Sequence, residues 1–452
     1  MIAITYITFV VMLCLCGAFQ FLAYQRRKDF SEGNNPQFLK FQHGYFAAYL
    51  MAVFADWLQG PYLYKLYSYY GYQEAQIATL YAVGFASTII LGTWTPIAAD
   101  QFGRKKLCLL FTVLYSISCL MKLSTGYGIL LIGRIVGGIA TSVLFSAFEA
   151  WYIHEHLETH DFPKEWISVT FAKASTWNGV LAVLAGVSSN LVSEGFGLGP
   201  VAPYMLAIPF LIFSGIMVST HWTENYSVNK IKFKKLCGEG FKMIVTKEEI
   251  FMLGAIEALF ESVIYIVIFL WTPILQSGNP SLGIVFSSFM ASILVGQGFF
   301  SVVSTSRRFQ PSALLMVSIV MAVIANLLLI ISTHPEKRDA SLSFSALTLF
   351  EVAVGIYFPA MGYLRSRIIP DSHRWGVINW FRVPINLIAC VILMLLHEDI
   401  FQHGNRMIFV LCLFLLLLAV ASGARFLKVT KDDDRLKQEA AWLESDHIHN
   451  IF

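Results

Sequence analysis

Thirteen apolar runs divide this chain of 452 residues, and nothing else in it restricts the fold so strongly. They begin near Met1, Phe46, Gln76, Lys106, Gly128, Ile167, Val201, Ile250, Leu282, Leu314, Leu342, Gly376 and Met407. A helix of ~20 apolar residues spans a hydrocarbon core. Backbone amides in lipid find no water, so only helices or closed barrels cross it. The runs are continuous rather than alternating, which selects helices over a barrel. Composition agrees. Hydrophobic residues make up 56% of the chain and charged residues 13%, where a soluble domain carries about 25% charge. The chain is therefore expected to be an all-α protein embedded in the lipid bilayer, with no nucleic-acid partner.

Lysine and arginine orient the runs, because basic loops stay in the cytoplasm. With the segment after the first run inside, the inside segments hold 24 of the 32 basic residues, and the outside loops hold only Lys337 and Arg338. The first run is followed by Arg26, Arg27 and Lys28, has no basic residue ahead of it, and has no small-residue cleavage site. It reads as a retained anchor rather than a secretory leader. Setting it aside leaves twelve runs, with the long basic segment His221 to Glu249 after the sixth. That arrangement predicts two repeated halves. The expected division is an anchor at 1–24, a first half at 25–220, a cytoplasmic linker at 221–249, a second half at 250–428 and a charged cytoplasmic tail at 429–452. A multi-pass protein of the plasma membrane with a cytoplasmic C-terminus is expected. The acceptor pattern Asn225-Tyr226-Ser227 then falls in the cytosol and is expected to go unused. The seven cysteines show neither an extracellular pair nor zinc spacing. No phosphate-binding loop is present, so an ATP-driven pump is not expected. No enzymatic activity, cofactor or metal is expected either.

Between the second and third of the twelve runs stands Asp100-Gln101-Phe102-Gly103-Arg104-Lys105. This resembles the signature loop of the major facilitator superfamily, with Pro96 and Gln101 where the superfamily has a glycine and a basic residue. Gly103 permits the tight turn, and Arg104 and Lys105 hold the loop in the cytosol. Gly133-Arg134-Ile135-Val136-Gly137-Gly138 resembles a second superfamily motif in the fourth helix. Longer strings narrow the resemblance. Ala55 to Lys65, Phe145 to His156, Phe260 to Ile264 and Asn379 to Pro384 are similar to the family of major facilitator superfamily domain-containing protein 5, which is described as molybdate-anion transporters. The likeness runs from about Phe38 to Lys428. It implies twelve transmembrane helices in two six-helix halves, alternating access around a midplane site, and a functional monomer that takes up molybdate. The alternatives are a carrier of another small anion or polar solute on the same fold, and a non-transporting sensor or scaffold.

Charges inside hydrocarbon cost from about 2.5 kcal/mol upward, so each asks for a partner or a role. Asp56, Arg134, Glu149, Lys173, Glu257, Glu261, Glu351 and Arg382 fall within the runs. Lys173 follows Trp166 by seven residues, and Arg382 follows Trp375 by seven. If the halves are repeats, the two cations are pseudo-symmetric partners. Arg134 and Glu351 correspond likewise, each four residues before a glycine, Gly138 and Gly355. A tetrahedral dianion needs desolvated positive charge and directed donors. Lys173, Arg382, Asn178, Asn379 and Arg134 are therefore the candidate substrate-binding residues. The competing reading is that carboxylates neutralise these cations, Lys173 against Glu257 for example. Glu257 and Glu261 are one helical turn apart and cannot both ionise cheaply. With Asp56 and Glu351 they are candidate coupling carboxylates for proton co-transport. His154, His156 and His160 read as a solvated charged loop rather than a metal site. Tyr62, Tyr64, Tyr67, Tyr69, Tyr70 and Tyr72 read as an outer interfacial belt.

Overall fold

The computed structural model describes residues 1–26, 35–92, 95–226, 233–305, 309–395 and 406–449. Arg27, Lys28, Ser227, Lys230, Lys232, Arg307 and Arg308 lie outside the described residues, as do the side chains of Arg26, Asp100 and Trp375. The described chain is helical throughout and contains no strand. Helix α1 spans Ile2–Arg26, α2 Pro36–Leu58, α3 Leu63–Tyr69, α4 Glu74–Gly92, α5 Thr95–Phe102, α6 Arg104–Met121, α7 Tyr127–His154, α8 Glu165–Asn190 and α9 Ala202–His221. A short helix α10, Phe233–Thr246, precedes α11 Glu248–Leu275, α12 Leu282–Thr305, α13 Pro311–Ser332, α14 Ala340–Ile368, α15 Asp371–Leu395 and α16 Arg406–His449. Nine of the described helices are long and apolar enough to cross a membrane by length and composition. The helices of the twelve-run frame outside that group are α2, α4, α6 and α8, in the N-terminal half. Polar side chains there, such as Gln42, Asp56, Lys173 and Asn178, face protein rather than lipid.

Local chemistry sets the helix ends. Asn35 caps α2, its Oδ1 accepting from Gln37 N at 2.9 Å, with Pro36 at the first turn. Asp339 caps α14 in the same way, accepting from Ser341 N at 2.9 Å and Leu342 N at 3.1 Å. The start of α6 is capped from a distance. The Glu224 carboxylate, beyond the end of α9, accepts from Lys105 N at 2.9 Å and Lys106 N at 3.2 Å. An acidic group at a helix N-terminus is favoured by the exposed amides and the helix dipole. Gly103 makes this possible. Its φ is +99°, and a Cβ there would lie 2.6 Å from the Glu224 carboxylate.

The structure thus ties the signature loop to the end of α9 through Glu224. Arg104 reaches Asn225 Oδ1 at 3.5 Å, and Lys105 Nζ reaches Ser219 O at 2.9 Å. Asn225 is buried and donates to Glu155 Oε1 at 2.9 Å. It is thereby withdrawn from the surface on which a glycosylation acceptor must lie.

Helices α2–α9 form one half and α11–α16 the other. Helix α1 lies against α12, with Phe19 edge-on to Phe299 at 6.2 Å. Its outer apolar side chains, such as Ile7 and Phe21, are exposed as lipid-facing groups must be. Helix α10 docks on α15, where Trp380 Nε1 donates to Cys237 O at 2.9 Å. The side bearing the signature loop and α10 is termed the signature side, and the opposite one the far side. Contacts joining the halves gather toward the far side. Gly186 of α8 meets Gly283 and Ser287 of α12 so closely that a Cβ on Gly186 would stand 2.7 Å from Gly283 O. Ser287 Oγ donates to Val183 O at 2.8 Å across this seam. Small residues allow helices in lipid such an approach. Phe269 of α11 packs edge-on against both Tyr64 and Tyr81, at 5.6 and 5.2 Å. Toward the signature side, Trp177 and Arg382 are exposed. Among the described residues the molecule is closed on the far side and open on the other.

Gly186→Val is expected to wedge the far-side seam apart, because the added methyls meet Ser287 Oγ, the Gly283 carbonyl and the Phe286 ring, all within 3.0 Å of the first added carbon. Cysteine accessibility at Tyr64→Cys, compared with and without the wedge, measures it. Labelling should rise from slow to rapid. An unchanged labelling rate would show that the seam absorbs the added volume.

Candidate functional site

The charged residues divide into a cluster in each half. In the C-terminal half, Glu257 and Glu261 project from successive turns of α11. Glu257 Oε1 pairs with Arg365 Nη1 at 2.9 Å, and the Glu257 side chain is 2% exposed. Its second oxygen, Oε2, is buried without a hydrogen-bond partner among the described residues. Glu261 accepts from the Tyr357 hydroxyl at 3.3 Å. Arg382, on α15, is near enough for its charge to act on Glu257, Glu261 and Tyr265. Two carboxylates, two guanidiniums and two phenols thus share one region of α11, α14 and α15. Asn379, one turn before Arg382, has its Nδ2 buried without an acceptor among the described residues. A buried, unspent donor is a costly feature in a helix interior.

Arg365 was not among the intramembrane candidates. It stands three residues from the end of α14 and reads in sequence as an anchor at the membrane surface. Its long side chain turns back along the helix to reach Glu257 instead. The acidic member of the pair was visible, and its partner was hidden by an ambiguity of about one turn in where the bilayer ends. The proposed pairing of Lys173 with Glu257 is thereby corrected: Glu257 is held within its own half.

In the N-terminal half, Lys173 Nζ lies 3.5 Å from Gln42 Oε1, and Gln42 Nε2 donates to Thr170 Oγ1 at 2.8 Å. Asn178, one turn farther along α8, accepts from Trp57 Nε1 at 2.7 Å. Asp56, beside Trp57, accepts a hydrogen bond from the Tyr115 hydroxyl of α6. Arg134 lies apart from these groups, toward the far side. Its Nε donates to Leu80 O at 3.1 Å, and its guanidinium sits 5.4 Å from the centre of the Tyr81 ring. The glycines that follow Arg134 and Glu351 show the repeat directly. Gly138 presses α7 onto α4 near Gly84 O, and Gly355 presses α14 onto α12 near Ile293 O. These are the corresponding helix pairs of the two halves. Glu351 itself is 8% exposed and makes no hydrogen bond or ion pair among the described residues.

Two surface readings change. His156 is fully buried and packs edge-on to Phe38 at 5.9 Å, with Nε2 2.9 Å from Pro163 O. The turn it occupies is π-helical, and the wider ring of that turn folds the imidazole under α2 rather than into solvent. Among the described residues, no cluster of histidine, cysteine and carboxylate side chains could hold a metal. The tyrosine belt also divides. Tyr69 is 72% exposed, whereas Tyr62 and Tyr67 are wholly buried and Tyr64 nearly so. Helix α3 folds back across the far side of the bundle. The Tyr62 hydroxyl then reaches Glu194 Oε1 at 3.1 Å, and Lys65 pairs with the same carboxylate at 3.3 Å.

Two six-helix halves that touch on one side and part on the other, with charged groups between the membrane surfaces, define a carrier of the major facilitator type. A family profile described as sugar transporters with 12 TM matches residues 4–351. A protein of Xenopus laevis named molybdate-anion transporter is 42% identical over 445 residues, covering 98% of each chain. One of Danio rerio with the same name is 40% identical over 486 residues, covering 99% of this chain and 100% of its own. The chain belongs to this family of twelve-helix major facilitator transporters. Among solved structures, a D-xylose–proton symporter superposes with a TM-score of 0.65 at 12% identity, over 84% of this chain and 97% of its own. A bacterial homologue of the human lysosomal transporter Spinster, inward-facing and unoccupied, gives 0.63 at 15% identity, over 88% of this chain and 99% of its own. At such identities the likeness is one of fold.

Proposed function

We propose that the chain mediates cellular uptake of molybdate as a secondary carrier of the plasma membrane. In this reading the signature side and the C-terminus face the cytosol, and residues 25–220 and 250–428 rock against each other as a monomer. The observation that carries the substrate is the full-length likeness to relatives named molybdate-anion transporter. The chemistry of the interior is compatible with it. Arg382 is exposed on the open side, with the unspent Asn379 amide one turn away. Lys173 and Asn178 stand on the other half. An arginine fork with a lysine and amide donors suits a tetrahedral dianion.

Asp56, Glu257, Glu261 and Glu351 are proposed to carry the compensating protons. A dianion crossing against the membrane potential is opposed by about 2.3 kcal/mol per charge per 100 mV, and co-transported protons cancel that work. Glu351 suits the role because no described cation faces it, so a proton alone can neutralise it. Gly103, Arg104 and Lys105, held by Glu224 and Asn225, are proposed to hinge the first half as the carrier turns, with Asp100 beside them.

Uptake of labelled molybdate into cells expressing the chain, with sulfate or phosphate in excess and with or without an imposed pH gradient, tests this reading. Saturable uptake is expected, displaced by molybdate better than by either competitor and accelerated by an inward proton gradient. Uptake no greater than in control cells would sink the substrate. A rate indifferent to the gradient would remove the coupling role of all four carboxylates.

A further inference from the structure

Lys122 follows α6 at the far side, a position at which a lysine would be expected to reach water. It is instead 4% exposed. Its Nζ contacts Gln59 Oε1 at 3.4 Å, Ser118 O at 3.3 Å and Ser118 Oγ at 3.2 Å, and lies 5.0 Å from the centre of the Tyr204 ring. All of these are neutral groups. Arg134 lies beside this group: the same Ser118 Oγ donates to the carbonyl of Gly133, the residue before Arg134, at 2.9 Å. Arg134 spends its Nε on Leu80 O, and its two terminal nitrogens find no acceptor among the described residues. Neither cation forms an ion pair with a described carboxylate. Beside them the Tyr67 hydroxyl, wholly buried and within the electrostatic reach of Arg134, has no hydrogen-bond partner among the described residues.

Two cations held together in the membrane interior without a counter-charge are unfavourable, and aromatic faces offset only part of that. An unpaired arginine fork and an unspent hydroxyl beside them supply the donors that an oxyanion accepts. The place of the Arg134 fork is built in. Gly84 of α4 has no side chain, and a Cβ there would stand 2.2 Å from the fork. The cluster lies directly behind the far-side seal, because Tyr81, which carries the Arg134 guanidinium on its ring, is one of the two tyrosines packed on Phe269.

We propose that Lys122, Arg134 and Tyr67 form an oxyanion-binding station in the N-terminal half, shut off by the Phe269 seal in this conformation and opened when the halves part on the far side. It receives a tetrahedral dianion there before the anion passes to the region of Lys173 and Arg382. The station rests on the molybdate reading for its natural ligand, and on the geometry alone for its anion chemistry.

Two measurements test it. The first is the KM and maximal rate of labelled molybdate uptake for Lys122→Gln, Arg134→Gln and the near-isosteric Tyr67→Phe, at matched surface expression. Arg134→Gln is expected to raise KM about tenfold and Tyr67→Phe about threefold, with maximal rates within about twofold of the native chain, because donors to the incoming anion are lost. The second is the heat stability of the purified full-length protein in nanodiscs with added molybdate, tungstate or sulfate. Stabilisation by molybdate and tungstate is expected in the native chain and should be lost in Arg134→Gln. If molybdate is transported but all three variants keep the native KM, the station is wrong and the substrate reading stands. If the native chain transports no molybdate, yet tungstate or sulfate stabilises it in an Arg134-dependent way, the substrate reading fails and the station stands. Variants that lower the maximal rate alone, with KM and oxyanion stabilisation intact, would reduce the cluster to a structural role and overturn the proposal.

Discussion

Arg382→Gln is expected to abolish most molybdate uptake at normal surface expression. Arg382 is exposed on the open side and acts on both carboxylates of α11. Removing a charged donor from a polar contact costs about 1.5–3 kcal/mol, which corresponds to ~10- to 100-fold in transport efficiency. Arg382→Lys should recover part of the loss, because it restores the charge but not the planar fork. Lys173→Gln should have a smaller effect, since its ammonium already leans on Gln42. The double variant should fall to background. Labelled uptake, corrected for protein at the surface, checks all four. Native uptake by Lys173→Gln/Arg382→Gln would remove these residues from the substrate path.

Arg365→Ala is expected to damage folding rather than selectivity. It leaves Glu257, whose side chain is 2% exposed, without the only ion pair described for it. Removing one partner of a buried pair costs about 3–5 kcal/mol, more than the pair itself contributes, because the remaining charge is stranded. The purified protein should show a lower Tm and poorer surface expression. Adding Glu257→Gln should restore most of the stability, since the stranded charge is then gone. A double-mutant cycle on Tm in nanodiscs measures the coupling. If Arg365→Ala alone is neutral, Arg382 already compensates Glu257, and the two guanidiniums share the carboxylate.

These expectations draw on residues of very different legibility. Most of the helix count was legible because lipid leaves the backbone no other solution, but α2, α4, α6 and α8 carry too many polar residues to stand out by length and apolarity alone. The correspondence proposed between Lys173 and Arg382 comes from aligning the halves, both residues standing seven positions after a tryptophan. The glycines after Arg134 and Glu351 came from the same alignment, and they make the equivalent close contacts in the two halves. Arg365 and Lys122 were not legible. Each lies within a few residues of a helix end, where one turn decides between water and protein. Hydropathy varies too slowly along a chain to resolve one turn.

His156 and Tyr67 fail for a related reason. Both belong to segments in which polar and aromatic residues alternate, the usual signature of a membrane surface. A π-helical turn carries the first under α2, and the return of α3 across the far side carries the second into the bundle. Neither bend has a signal in composition.

The sequence by itself determined that this chain is a membrane-embedded helical bundle of two related halves, and that it keeps charge where charge is costly. Both follow from transfer energies, which are sums over residues and need no coordinates. Only the tertiary structure decided what each charge meets: Glu257 with Arg365, Arg134 near Lys122, and Lys173 beside the neutral Gln42 amide. Those partnerships depend on helix rotation and on a few ångströms of side-chain reach, and no sum over residues contains them.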